Sequence, residues 1–159
     1  ESTKTRKKRA FRPRKTEDGV LSVRLVVETN VHMAVNVETP ATVLVVEDDE
    51  SLRMLCRINL ELENYRVLEA GTIDRATALV SAEPIDVVLL DLHVGERHGT
   101  ELLPVLRSER PEAAVCLLSG TSEADPPDEE GVDEFIRKPF ELDVLTETVA
   151  RLASRSVRH

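Results

Sequence analysis

From residue 41 onward, short unbroken apolar runs alternate with segments whose apolar residues recur every three or four positions. Thr42-Val43-Leu44-Val45-Val46 is β-branched and apolar throughout, the pattern of a strand buried on both faces. An acidic cluster follows, then a helix carrying Leu52, Leu55, Cys56 and Leu62 that ends near Asn64. Tyr65 to Ala70 forms a second strand, and Gly71-Thr72 opens a helix with Ile73, Ala76, Leu79 and Val80 on one stripe. Ile85 to Leu90 is a third strand that terminates at Asp91. A loop from Leu92 to His98 leads to Gly99 and a helix with Leu102, Leu103 and Leu106. Pro104 falls in its first turn, where a missing N–H matters least. Ala114 to Leu118 is the fourth strand, terminating at Ser119. Residues 121–131 are acidic and contain Pro126-Pro127, so any helix there is short or broken. Glu134 to Arg137 is the fifth strand, followed by Lys138-Pro139 and a last helix with Leu142, Leu145, Val149 and Leu152 aligned. Strands alternating with helices in this way predict an α/β fold, a doubly wound parallel sheet covered on both faces.

The stretch before residue 41 has a different period. Val23, Leu25 and Val27 alternate, and Val31, Met33, Val35 and Val37 continue the alternation, which predicts a hairpin turning near Thr29-Asn30. Glu38-Thr39-Pro40 reads as a linker. Met33 stands just before the first strongly patterned strand, so the natural domain is expected to start near it, with residues 1–32 either an upstream extension or a non-native addition. The domain boundaries expected are an extension and linker over 1–40, a folded domain over 41–153 and a short tail over 154–159.

Charge sharpens this division. Residues 1–15 hold eight basic residues against one acidic, while residues 16–159 hold 13 basic and 29 acidic. The first stretch reads as a solvated, disordered arm. The strongly acidic body argues against nucleic acid as a partner. Aromatic residues are only 3%, which removes base-stacking platforms and predicts an aliphatic core. No apolar run is as long as a membrane span. Cys56 and Cys116 sit within apolar patterns and read as small core hydrophobes rather than a disulfide.

In an open parallel sheet the site lies beyond the carboxyl ends of the strands. That rule gathers Glu47 and Asp48 from the first strand, Asp91 from the third, Ser119 from the fourth and Lys138 from the fifth. Carboxylates crowded together resist ionising unless a cation sits among them. A hard ion with oxygen ligands suits the set, and Mg²⁺ suits a site that leaves room for a phosphoryl oxygen. A lysine and a hydroxyl add two groups able to hold an anion's oxygens. The constellation therefore suits a phosphoryl group beside a carboxylate nucleophile. His93 and His98 flank it and read as exposed loop residues, because the oxygen set already satisfies Mg²⁺.

Residues 41–153 resemble the receiver domain of bacterial two-component response regulators. The resemblance rests on Val43-Leu44-Val45-Val46-Glu47-Asp48-Asp49, on Asp86-Val87-Val88-Leu89-Leu90-Asp91-Leu92 with Gly99 downstream, on Leu117-Leu118-Ser119-Gly120 and on Phe135-Ile136-Arg137-Lys138-Pro139-Phe140. The spacings match as well: 43 residues from Asp48 to Asp91, 28 to Ser119 and 19 to Lys138. It implies a flavodoxin-like (βα)5 fold with strand order 2-1-3-4-5. It implies Asp91 as phosphoacceptor, with Glu47, Asp48, Asp91 and the backbone carbonyl of His93 around Mg²⁺, Asp48 being the preferred ligand of the acidic pair. Ser119 and Phe135 would be the switch pair, and Lys138 the phosphoryl-binding lysine, with a cis bond to Pro139. Three departures stand out. Gly95 occupies a position where proline is common, which predicts a looser loop. The fourth helix looks short, and Phe135 lacks the hydroxyl of the tyrosine often found there.

The function expected is a stand-alone cytoplasmic phosphorylation switch rather than an enzyme with a separate substrate. Its partners would be a sensor histidine kinase or phosphotransfer protein and a downstream target protein, with homodimerisation left open. One alternative is a receiver-like scaffold that takes no phosphate, which the intact residue set argues against. A phosphatase of the haloacid dehalogenase type would need a second acid two residues after Asp91, where His93 stands. Nucleic-acid binding would depend on whether residues 1–15 are native.

Overall fold

The computed structural model describes residues 14–15, 21–26, 32–120 and 129–156, with side chains from residue 38 onward. The chain divides into two compact units, Glu1–Thr39 and Pro40–His159.

The first unit holds three antiparallel strands, β1 (Arg14–Lys15), β2 (Leu21–Val26) and β3 (His32–Val37), in that spatial order. The β2–β3 register opposes Leu21 to Val37, Val23 to Val35 and Leu25 to Met33, so alternate apolar positions meet across the pair. The hairpin expected here is present, and its turn near Thr29-Asn30 lies outside the described residues. Arg14 and Lys15, expected in a disordered arm, instead pair with Ser22 and Leu21. The rest of the basic stretch lies outside the described residues.

The second unit is built on five parallel strands: β4 (Thr42–Val46), β5 (Arg66–Ala70), β6 (Val87–Asp91), β9 (Ala114–Ser119) and β10 (Glu134–Arg137). Their spatial order is β5-β4-β6-β9-β10, which is the expected 2-1-3-4-5. Helices α1 (Glu50–Leu62), α2 (Ile73–Ala82), α3 (Leu103–Glu109) and α4 (Leu142–Ser156) flank the sheet. A two-residue pair, β7 (His93–Val94) and β8 (Arg97–His98), follows β6.

Strand alternation divides the interior into two cores. Leu44, Val46, Val88, Leu90, Val115 and Leu117 pack with Ile73, Ala76 and Val80 of α2 and Leu103 and Leu106 of α3. Val43, Val45, Val87, Leu89, Cys116 and Leu118 face the other way, onto Cys56 and Leu60 of α1 and Leu145, Val149 and Leu152 of α4. Every residue of β4, β6 and β9 is buried, as their unbroken apolar runs predict. The two free cysteines are fully buried, and burial pushes their thiols up to about 11 for Cys56 and about 12 for Cys116. They behave as core hydrophobes.

Two segments differ from expectation. The helix expected from Gly99 begins as a 3-10 turn over Gly99–Leu102 and becomes α3 only at Leu103, with Pro104 in its first positions. The loop after Asp91, expected to be loose, is folded into the β7–β8 hairpin, with His93 opposite His98 and Gly95 at φ +63°. The short fourth helix expected around Pro126-Pro127 lies outside the described residues. Among the described residues no helix is long and apolar enough to cross a membrane.

Adjacent residues of β6 serve opposite cores, so each should matter independently. Leu89→Ala and Leu90→Ala, both fully buried, should each lower unfolding free energy by about 2–5 kcal/mol in urea titration. Leu62→Ala, at a residue 74% exposed, should stay within about 0.5 kcal/mol.

Candidate functional site

The parallel register aligns the strand ends. Val46 pairs with Leu90, Leu90 with Leu117, and Arg137 with Ser119. Glu47 and Asp48 therefore leave β4 beside Asp91, the last residue of β6, while Ser119 ends β9 and Lys138 follows β10. Glu47, Asp91 and Ser119 are buried, Lys138 is partly buried and Asp48 is exposed. One oxygen from each of Glu47, Asp48 and Asp91 lies within 4.8 Å of the others. The Lys138 ammonium bridges two of them, 2.6 Å from Glu47 Oε2 and 3.1 Å from Asp91 Oδ2. Ser119 Oγ is buried and has no hydrogen-bond partner.

Local backbone chemistry holds each group in place. Asp49 caps α1, its Oδ1 accepting from the Leu52 N–H at 2.9 Å. Its own N–H donates to Glu47 Oε1 at 3.1 Å, so the cap also orients the buried acid. The Gly95 N–H donates to Asp48 Oδ2 at 3.0 Å, tying the β7–β8 hairpin to the acidic loop. Gly99 allows the chain to pass beneath Asp91: a Cβ there would sit 2.0 Å from the Asp91 carbonyl oxygen. The Lys138 N–H donates to the Ser119 carbonyl at 2.7 Å, and the Lys138–Pro139 bond is cis.

The electrostatics follow from burial and crowding. Burial lifts the Glu47 carboxyl to about 7, with the Asp91 charge adding to the rise and the Lys138 ammonium and Asp49 amide opposing it. For Asp48 burial also acts upward, yet the N–H groups of Gly95, Asp48 and Asp49 and a hydrogen bond with Glu47 outweigh it and hold the group below the usual range. For Lys138 burial acts downward, and its bonds to Glu47 and Asp91 reverse this and raise it. Three convergent carboxylates facing one ammonium form a hard-oxygen set that fits a divalent ion of the Mg²⁺ type.

The residues expected from sequence are thus distributed as follows. Glu47, Asp48, Asp91 and Lys138 form one cluster, and Ser119 stands at the next strand end. Phe135, in β10, is half-buried and packs on the α2–α3 side of the sheet. His93 starts β7, its N–H 3.4 Å from Asp91 Oδ1 and its ring edge-on to His98 at 5.4 Å. His98 Nδ1 lies 2.6 Å from Thr100 Oγ1, and neither histidine belongs to the carboxylate set. Sequence reasoning did not assign Asp49, Gly99 or Arg53. Asp49 immediately before a helical pattern is a cap signal. Arg53, one turn into α1, donates to the Glu47 carbonyl at 2.8 Å, and its only sequence signal was its sign beside an acidic run.

Comparison with known proteins gives concordant results. Residues 43–150 match the family model for the response regulator receiver domain. The transcriptional regulatory protein KdpE of Mycobacterium tuberculosis (strain ATCC 25618 / H37Rv) is 33% identical over 112 residues, covering 69% of this chain and 48% of that protein. The chain spans about half or less of the length of the curated relatives it first matches. A crystal structure of a CheY-like response regulator receiver domain protein from Methanospirillum hungatei JF-1 superposes with a TM-score of 0.66 at 25% identity, covering 74% of this chain and 96% of that one. A response regulator protein from Burkholderia pseudomallei, crystallised with a phosphorylated aspartic acid and a calcium ion, matches with a TM-score of 0.63 at 26% identity, over 72% and 69% of the two chains.

The raised Glu47 value sets a pH dependence. Its folded value of about 7 exceeds the ordinary 4.5, so its favourable contribution is complete below 4.5 and is lost as pH rises through 7. In EDTA, Glu47→Gln should match the parent near pH 4 and exceed it by up to about 3 kcal/mol at pH 8, read by urea unfolding at both pH values. Equal stability of the two proteins at pH 8 would contradict the electrostatic assignment.

Proposed function

The chain belongs to the response regulator receiver domain family, and from that premise we propose that residues 41–153 form a phosphorylation switch with Asp91 as acceptor. Residues 1–40 serve as the extension, and the tail expected over 154–159 starts later, because α4 continues to Ser156. The phosphoryl group comes from the phosphohistidine of a sensor histidine kinase or a phosphotransfer protein. The observation that carries the reading is the Lys138 ammonium between two buried carboxylates, with an unpartnered buried hydroxyl at the neighbouring strand end.

In the step proposed, an Asp91 carboxylate oxygen attacks phosphorus while the P–N bond to the donor's imidazole breaks. The bonding pair returns to that nitrogen, and an acyl phosphate remains on Asp91. Glu47, Asp48, Asp91 and the backbone carbonyl of His93 would hold Mg²⁺, which would supply positive charge to the phosphoryl oxygens. Lys138, 3.1 Å from Asp91 Oδ2, follows the negative charge onto the phosphoryl group. Ser119 Oγ–H, lacking any partner, donates to a phosphoryl oxygen, and Phe135 repacks in response. A local change in charge and hydrogen bonding thereby biases a two-state surface. Water then attacks phosphorus, the P–O bond to the carboxylate breaks, and inorganic phosphate leaves with the Asp91 carboxylate restored, so the domain acts on itself and turns over no separate substrate.

The docking face for the phosphodonor lies beside the site. Leu52 and Leu55 of α1 line a groove of about 410 Å³ with Pro139 and Phe140, adjoining Lys138. Met54, Ile58 and Leu62 extend the exposed apolar stripe along α1. A cytoplasmic location and a downstream protein target complete the reading, with a homodimer as one form that target can take. The acidic body speaks against nucleic acid, and nothing in the reading requires a membrane.

Two measurements test this. Acetyl phosphate with Mg²⁺ should add one labile phosphoryl group by intact mass, and both EDTA and Asp91→Asn should abolish it. An adduct indifferent to Asp91→Asn would overturn the acceptor assignment, and no adduct from any donor would favour the scaffold reading. Ile58→Glu should slow transfer from a cognate kinase by about tenfold or more while leaving acetyl phosphate labelling within about twofold.

A further inference from the structure

We propose that Arg53 is a positioning residue for divalent-cation binding, acting through the backbone of Glu47. The inference rests on the metal reading of the carboxylate cluster given above. The acidic loop uses its side chains for the site, so its backbone must be fixed by something else. Glu47 N–H donates to the Ala70 carbonyl of β5 at 3.0 Å. The Glu47 carbonyl accepts from Arg53 Nη1 at 2.8 Å. The same guanidinium places Nε 3.5 Å from Glu69 Oε1 in β5, the residue registered opposite Val45 of β4. Arg53 therefore ties the first turn of α1, the end of β4 and the end of β5 at one point. Its side chain is only 19% exposed, so the contact is well shielded from water.

The opposite wall of this contact is bare backbone. A Cβ built on Gly71 would lie 3.0 Å from Arg53 Nη1 and 3.5 Å from its Cζ. Any side chain at that position must push the guanidinium, which makes Gly71 a handle on Arg53 from outside the carboxylate cluster. Arg57, one turn further along α1, supplies an internal contrast. Its Nε lies 3.1 Å from Glu69 Oε2, without the alignment of a hydrogen bond. Arg57 thus shares the partner in β5 and has no bond to Glu47. If Arg53 only stabilised the packing of α1 on β5, both arginines would matter alike. If it positions Glu47, only Arg53 would affect the site.

Groups that orient metal ligands without touching the ion typically change affinity by about 10–100-fold when removed. The test is Mg²⁺ alone, titrated calorimetrically into the EDTA-stripped full chain well below its melting temperature. Arg53→Met should weaken Mg²⁺ binding by about tenfold, Arg53→Lys by less, and Gly71→Ala in the same direction. Arg57→Met should remain within about twofold of the parent. Unchanged affinity in both Arg53→Met and Gly71→Ala, with a parent that binds Mg²⁺, overturns this inference and leaves the metal reading standing. Equal losses in Arg53→Met and Arg57→Met also overturn it, by assigning the effect to helix packing. A parent that binds no Mg²⁺ overturns both. Because Gly71→Ala leaves every bonding group of Arg53 and Glu47 in place, the inference stays testable if Arg53→Met fails to fold.

Discussion

A single ammonium placed among three carboxylates is the constraint on which the site depends. Lys138 reaches Glu47 and Asp91 at 2.6 and 3.1 Å, and one positive charge is left to answer three negative ones. Such crowding is unfavourable in a buried setting. It persists because the groups are fixed by backbone that the hydrophobic cores determine. Glu47 and Asp91 directly end or follow wholly buried strands, so neither can move away without withdrawing apolar residues from a core. The misfit is displaced into protonation: the carboxyl of Glu47, buried deepest, is lifted to about 7. A bound cation and an added phosphoryl group both act on the same imbalance, one relieving it and the other renewing it.

Sheet alternation explains why this arrangement is stiff. Leu89 and Leu90 point into different cores, and Asp91 continues the same strand. A shift of β6 by one residue would exchange the two faces, send each aliphatic side chain into the core packed for its neighbour, and draw Asp86 or Asp91 into the buried sheet. The position of Asp91 is thus fixed from two sides. The connections carry the adjustable parts instead. Asp49, Gly95 and Arg53 all act through hydrogen bonds at the mouth of the sheet, where no core side chain is involved.

Legibility in the sequence follows the same division. The five strands, the sheet class and the gathering of Glu47, Asp48, Asp91, Ser119 and Lys138 at one edge were readable because period-2 and period-3.6 patterns leave residue-level marks. Strand order followed from the resemblance rather than from periodicity. Less readable were groups that act through backbone. The role of Gly99 depends on a carbonyl 2.0 Å from where a Cβ would stand, and nothing in its neighbours announces that. The 3-10 entry to α3 was hidden because a leucine-rich stretch looks helical whether its first turn closes at three residues or four. Arg53 was missed because a lone arginine on a helix face normally reads as solvated surface.

Gly95 shows how a departure from a family pattern can be misread from sequence. A glycine in place of a common proline suggests freedom, because glycine restricts its own backbone least. In the folded chain Gly95 adopts φ +63°, which proline's ring forbids. Its amide donates to Asp48 Oδ2 at 3.0 Å, and proline has no such amide. The exchange therefore replaces one form of restraint with another: a ring that fixes φ gives way to a hydrogen bond that fixes the hairpin to the acidic loop. That bond also helps to hold Asp48 ionised. The segment following Asp91 and the carboxylate leaving β4 thus become mechanically linked, so that whatever displaces one of them acts on the other.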